Sequence, residues 1–171
     1  LSEGAGVIVL AAEEMLSRHG LTARAEVLGV GWTSDAFHFT KPNPATIVRG
    51  IREALADAGI EPRDIGYINA HGTSTPLNDK METAAVKTVF GEHARSLALG
   101  STKSMTGHLI GGTARLETAI CILAMRNSTL PPTINLDNPD PQCDLNYIPG
   151  QAIKAEVSYC MNNAFAFGGQ N

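Results

Sequence analysis

No stretch of the 171-residue chain holds the roughly 20 consecutive apolar residues that a membrane-spanning helix needs, so no membrane partner is expected. Basic charge is short as well. Thirteen lysines and arginines face 17 aspartates and glutamates, a formal net charge of −4 with both signs scattered, which excludes a broad basic face for nucleic acid. Cysteine is sparse: Cys121, Cys143 and Cys160 are odd in number, far apart and outside any metal-ligand spacing, and read as free thiols of a reducing, cytosol-like compartment. Low-complexity tracts, repeats of solenoid length and a dividing linker are missing too. A charged share of 18% beside an apolar share of 43% is a globular balance. The chain opens on "LSEGAGVIVL" and closes on "FGGQN". Neither end resembles a targeting segment, and both read as cuts through something longer. One incomplete domain over residues 1–171 is the expectation.

What is present is an alternation of strand-like and helix-like segments. "GVIVL" (6–10) and "AEVLGVGW" (25–32) read as strands, with a helix between them ended by Gly20. Asn43 and Pro44 start a helix that carries Ile47, Ile51 and Leu55 on one face and closes at Gly59. "IGYINA" (65–70) is the next strand. Asp79 and Glu82 have capping-box spacing at the start of a helix running to Phe90. "LALGST" (97–102) is a further strand, followed by a helix with Leu116, Ile120 and Leu123 on a common face. "LPPTINLDNPDP" crosses the surface as a loop, and "AEVSYCMNNAFAF" supplies a final strand and turn. Such alternation specifies an α/β layered sheet.

In α/β sheets the loops leaving the carboxyl ends of strands converge on the reactive crevice. His71 follows "YINA" and His108 follows "GSTKSMTG", one strand–helix–strand unit apart, so neighbouring strands bring the imidazoles together. Two neutral imidazoles aimed at one oxygen make an oxyanion or enolate hole. Lys103, at the same strand end as His108, keeps the rings uncharged and favours developing negative charge. Glu82 is placed either as the acidic partner of Lys103 or as a capping residue. Gly72 allows a tight turn, and Thr73 and Thr75 offer hydroxyls to an amide-bearing arm or, alternatively, cap the next helix. His19, His38 and His93 read as structural residues. No third ligand stands at a spacing that would make the histidines a metal site.

"NAHGTSTPLNDKMET", "STKSMTGHLIG", "PPTINLDNPDPQCDL" and the closing "FGGQN" together resemble the C-terminal half of the 3-oxoacyl-acyl-carrier-protein synthases, the condensing enzymes of type II fatty acid synthesis. The similarity runs from "EGAGVIVL" to the last residue, in order. It implies a thiolase-like α/β fold, here the C-terminal half: a mixed five-strand sheet with helices on both faces, half of an αβαβα sandwich. The implied activity is a decarboxylating Claisen condensation between malonyl-carrier protein and an acyl group held on a cysteine. By position, His71 and His108 would be the catalytic histidines, Lys103 the lysine behind them and Glu82 its acidic partner. Thr73, Thr75 and, less closely, Thr40 would line the pantetheine channel. Phe167, with Gly168 and Gly169, would form the gate whose backbone amide helps hold the acyl thioester. No cofactor is implied beyond substrates carried on the phosphopantetheine arm. The implied partners are acyl carrier protein, the N-terminal half of the same enzyme and, for the complete enzyme, a second copy. "HGTSTP" leans toward fatty acid over polyketide chemistry, and the implied compartment is the bacterial cytoplasm, with plastid and mitochondrion as alternatives.

The sequence departs from that pattern in four places. The family nucleophile is a cysteine at a helix N-terminus of the other half, and none of the three cysteines here has that context, so the chain by itself is expected to be inactive. Gly111-Gly112-Thr113-Ala114-Arg115 stands where "GAAGG" is usual, with Arg115 bulky for a closely packed helix start. Ala164-Phe165-Ala166-Phe167 stands where "SFGF" is usual, and an alanine restricted at positive φ would stiffen the gate. The strand after "FGGxN" is absent, which leaves a sheet edge open. A non-catalytic, chain-length-determining partner subunit and an inert fragment are the competing readings.

Overall fold

The apolar run at 65–70 becomes the centre of a parallel sheet in the computed structural model, which describes residues 1–171. Strand β1 (Ile65–Asn69) pairs with β2 (Ala98–Gly100) on one side and with β5 (Tyr159–Asn162) on the other, both parallel. The short strands β3 (Thr129–Leu130) and β4 (Ile153–Lys154) make a separate antiparallel pair. The α/β class thus holds, but the five strands divide between two sheets instead of forming one mixed sheet.

Helices cover both faces, as a buried parallel strand requires. Helix α2 (Pro44–Ala58) starts as expected: Asn43 Oδ1 accepts the Ala45 amide at 3.1 Å, and Gly59 ends the helix in the left-handed region. Its Ile47, Ile51 and Leu55 bury against Ile65, Ile68 and Leu99, together with Ala85, Val86 and Phe90 of α3 (Asn78–Phe90). Each such side chain contributes roughly 1.5–3 kcal/mol by leaving water. On the opposite face Tyr67 and Ala98 pack against Cys121 and Ala124 of α5 (Thr113–Asn127). A single turn, α4 (Lys103–Thr106), leads from β2 toward α5, and α1 (Glu13–His19) stands near the amino end. No helix is long and apolar enough to cross a membrane.

Three expectations about elements are corrected. Residues 6–10 and 25–32 are not strands here. They carry strand-type residues, yet no neighbouring strand of this chain offers them a ladder, and Val7, Val9, Val27, Val30 and Trp32 stand exposed. The capping box at α3 does not form: Asp79 Oδ1 accepts the Ser74 amide, while the Glu82 carboxylate turns elsewhere. On α5 the buried residues are Thr113, Glu117, Cys121 and Ala124, whereas Leu123, on the expected apolar face, is exposed.

The carboxyl end is tied back to the start of α2. Thr33 and Asn171 exchange backbone hydrogen bonds at 2.9 Å each way, and Asn171 Nδ2 donates to Asp35 Oδ1 at 2.7 Å. Asp35 also accepts the Asn43 amide at 2.6 Å and the Thr46 hydroxyl. The turn 166–170 is closed by Ala166 N donating to Gln170 O at 2.7 Å. Ala166 does not occupy positive φ; Gly168 and Gly169 do. The expected stiffening at Ala166 therefore has no backbone basis. Gly169 is needed where it is, since a Cβ there would fall 2.4 Å from the Asp35 Cβ. Arg115 is likewise accommodated, lying exposed and donating to Gly111 O at 2.7 Å.

Candidate active site

The ends of β1 and β2 are fastened to each other before the reactive residues begin. Asn69 Nδ2 donates to Thr102 Oγ1 at 3.1 Å, with both residues fully buried. The residue after Thr102 is Lys103, which opens α4, and two residues beyond Asn69 comes His71. Gly72 then turns the chain at φ 38°, with the Ser101 hydroxyl donating to its carbonyl at 2.7 Å; a Cβ there would lie 2.5 Å from that of Ser101.

This framework brings His71 and His108 together. Their ring centroids are 5.6 Å apart and the rings are nearly perpendicular, at 87°. His71 is buried and Phe165 lies against it at 5.2 Å. Burial, then the Lys103 charge, then His108 push the His71 pKa down to about 3, so the ring is neutral at physiological pH. Burial and Lys103 lower His108 in the same direction.

The His108 ring has a defined tautomer. The Ile110 amide, which can only donate, reaches Nδ1 at 3.1 Å, so Nδ1 accepts and the ring proton sits on Nε2. Ile110 sits at φ 54°, an uncommon and strained conformation for a β-branched residue.

Lys103 is buried behind the pair, but its partner is not Glu82. The ammonium donates to Glu117 Oε1 of α5 at 2.6 Å, with side-chain exposures of 5% and 0%. Burial raises the Glu117 pKa and Lys103 opposes that rise. Glu82 instead holds the histidine turn: its carboxylate accepts the His71 and Gly72 amides at 2.9 Å each and Asn163 Nδ2 at 3.1 Å. Burial raises its pKa, and the three N–H donors pull it back. Glu82 is therefore an anchor between the β1 loop and the residue that follows β5. The Asp-x-x-Glu spacing at the start of α3 is explained well enough by capping, which concealed this role.

Of the other expected site residues, Thr73 and Thr75 follow His71 with their hydroxyls 3.1 Å apart, and Thr75 also accepts the Asn78 amide at 3.4 Å. Thr40 lies on a separate loop, where its amide donates to His38 Nδ1 at 3.1 Å. Phe167 stacks on Phe39 of that loop at 5.7 Å and 12°, and Gly168 N donates to Phe39 O at 2.8 Å. The gate turn is thus connected to the Thr40 loop directly and to His71 through Phe165. His38 and His93 are structural as expected, the latter meeting Ile65 O at 2.9 Å. Burial pushes the Cys121 thiol up and the Cys160 thiol to about 12, which makes both poor nucleophiles.

Glu117, Asn163, Phe165 and Thr113 were not found by sequence reasoning. The signal for Glu117 was available: a carboxylate that shares a helical face with Cys121 and Ala124 has to find a cation.

Neutrality of His71 has a consequence for stability. Its folded pKa of about 3 lies below the ordinary 6.5, so below pH 6.5 the unfolded chain takes up a proton that the native state refuses. Stability should fall as pH drops from about 6.5 toward 3, by up to about 1.4 kcal/mol per unit. Urea midpoints at pH 7, 5 and 4, compared with His71→Gln, check this. The parent should lose stability faster than the variant, and parallel losses exclude the effect.

Comparison with known proteins gives a consistent result. The family described as beta-ketoacyl synthase, C-terminal domain, matches residues 24–137. Over its whole length the chain is 47% identical to a 3-oxoacyl-[acyl-carrier-protein] synthase 2 of Coxiella burnetii, covering 42% of that protein. It is 46% identical to the synthase of the same name from Synechocystis sp., again over 42% of the relative. The chain therefore spans about two fifths of the length of these relatives. Among solved structures, the ishigamide ketosynthase/chain length factor superposes with a TM-score of 0.88 at 43% identity, covering 93% of this chain and 39% of that one. A beta-ketoacyl synthase from Burkholderia phymatum gives 0.87 at 40% identity, covering 92% and 38%.

Proposed function

Because the chain belongs to the beta-ketoacyl synthase family through that family's C-terminal domain, we propose that it is the decarboxylating half of a 3-oxoacyl-acyl-carrier-protein synthase. The observation that carries this reading is the pair of neutral imidazoles 5.6 Å apart, backed by the Lys103–Glu117 ion pair. Malonyl thioester would place its carbonyl oxygen against the two rings. The bond between the α-carbon and the carboxylate breaks, carbon dioxide leaves, and the electron pair moves into the thioester enolate. Neutral N–H donors hold that enolate, and Lys103 lowers its energy at longer range. The enolate carbon then attacks an acyl thioester, releasing the cysteine thiolate to which the acyl group was attached. In this reading that cysteine is supplied by an N-terminal half; burial makes Cys121 and Cys160 poor nucleophiles, and Cys143 stands at no helix N-terminus.

The remaining roles follow from this reading. Thr73, Thr75 and Thr40 line the path of the phosphopantetheine arm of acyl carrier protein, and no cofactor step is required of the chain. Phe167 and the glycines after it gate the acyl pocket. The Phe167 amide makes no hydrogen bond within the chain and is free to serve a thioester oxygen. The complete enzyme would act as a homodimer in the bacterial cytoplasm, consistent with bacterial relatives. A non-catalytic partner subunit has no need of the paired histidines and their lysine, which favours the enzyme.

The test is carbon dioxide release from malonyl-carrier protein by the chain joined to a cysteine-bearing N-terminal half, beside the chain alone. The joined protein should decarboxylate and condense, and the chain alone should do neither. Absence of carbon dioxide release by the joined protein overturns the proposal.

A further inference from the structure

The stretch where this chain departs from the family pattern places an extra hydroxyl on a catalytic ring. Thr113 is the first residue of α5 and is 4% exposed. A threonine at a helix start usually caps the backbone. Here the cap position is Gly112, which makes no side-chain bond, and the only partner of Thr113 Oγ1 is His108 Nδ1 at 2.9 Å. Because the Ile110 amide already fixes Nδ1 as an acceptor, the Thr113 hydroxyl must donate. A buried hydroxyl with no alternative acceptor keeps its one bond, since leaving it unmade costs desolvation without return.

We infer that Thr113 is a positioning residue for His108: its hydroxyl and the Ile110 amide share the single Nδ1 lone pair in a three-centre bond that keeps the ring in one orientation with its proton on Nε2. The resembled pattern has an alanine at this position, so the contact belongs to this chain's own sequence. Two donors converging on Nδ1 oppose protonation there, in the same direction as burial and the Lys103 charge, while the neutral His71 ring faces His108 from the β1 side. Thr113 and the Ile110 amide share the task of holding the ring in place. The inference rests on the decarboxylation reading for its kinetic consequence but not for its geometry.

Three variants of the joined enzyme test it. Thr113→Val keeps the shape and removes the hydroxyl, Thr113→Ala does so without a β-branch, and Thr113→Ser retains it. Loss of one hydrogen bond to the ring should lower kcat for malonyl-thioester decarboxylation about five- to tenfold in the Val and Ala variants, with KM little changed. The acid limb of the kcat profile should move to higher pH, and Ser should restore both. Ring nitrogen-15 shifts of His108 should report a mixed tautomer or easier protonation in Val and Ala but not in Ser. Parent-like kcat and nitrogen-15 titration in either hydroxyl-less variant that folds overturns the inference. Should the parent enzyme release no carbon dioxide, the decarboxylation reading fails by itself, and the nitrogen-15 titration still decides the role of Thr113.

Discussion

His108→Ala in the joined enzyme is expected to cut malonyl-thioester decarboxylation by about 10²–10³-fold, the usual effect of removing one donor from a hole built for developing negative charge. The reasoning is geometric. Two rings converge at 5.6 Å, and with one removed the enolate oxygen keeps a single donor while a water-sized gap opens beside it. The loss should fall on kcat more than on KM, because the donor matters most once charge has moved onto oxygen. Transfer of an acyl group to the cysteine of the other half should be affected far less. His108→Asn, which retains an N–H, should recover part of the rate. A kcat within about threefold of the parent would remove His108 from the chemistry.

Glu117→Ala should have the largest effect on stability. The Lys103 ammonium is nearly buried and has one carboxylate for company. Truncating that carboxylate strands a charge in a poorly solvated site, at a cost of about 3–5 kcal/mol. Exchanging both partners for apolar residues, as in Lys103→Met with Glu117→Leu, should return stability close to the parent because no charge remains to be desolvated. Decarboxylation should not return with it, since the Lys103 charge that lowers the energy of the enolate, and that adds to burial in keeping the imidazoles neutral, is gone. Denaturant midpoints of the single and double variants, read beside carbon dioxide release, separate the two contributions. A double variant that is as unstable as Glu117→Ala contradicts the buried-charge account.

The placement of His71, His108 and Lys103 was legible because its signal is local: His71 and Gly72 come just after β1, Lys103 comes just after β2, and His108 follows Gly107 five positions beyond Lys103. Helix α2 was legible for the same reason, with cap, apolar face and stop all written within its own span. The partner of Lys103 was not. An apolar stripe through Leu116, Ile120 and Leu123 looks like the buried face of α5, and that reading puts Glu117 toward solvent. The structure reverses the faces because the lysine needs its counter-charge in the interior. Glu82 was misplaced for a related reason, since its spacing satisfied a helix cap and gave no hint of two amides arriving from another strand. Residues 6–10 and 25–32 show the opposite limit. Their β-propensity is plain, but a strand is a property of a pair.

The pairing of Asn171 with Thr33 and Asp35 bears on the order in which the site is completed during synthesis. These contacts join residues 138 and 136 positions apart, and Phe165 and Asn163, which steady His71 and its anchor, arrive just before them. During synthesis the histidines emerge early and must wait, without their cover, until β5 and residues 163–171 leave the exit tunnel. Until residues 163–171 arrive, the helices can be in place while the pocket around His71 lies open to water.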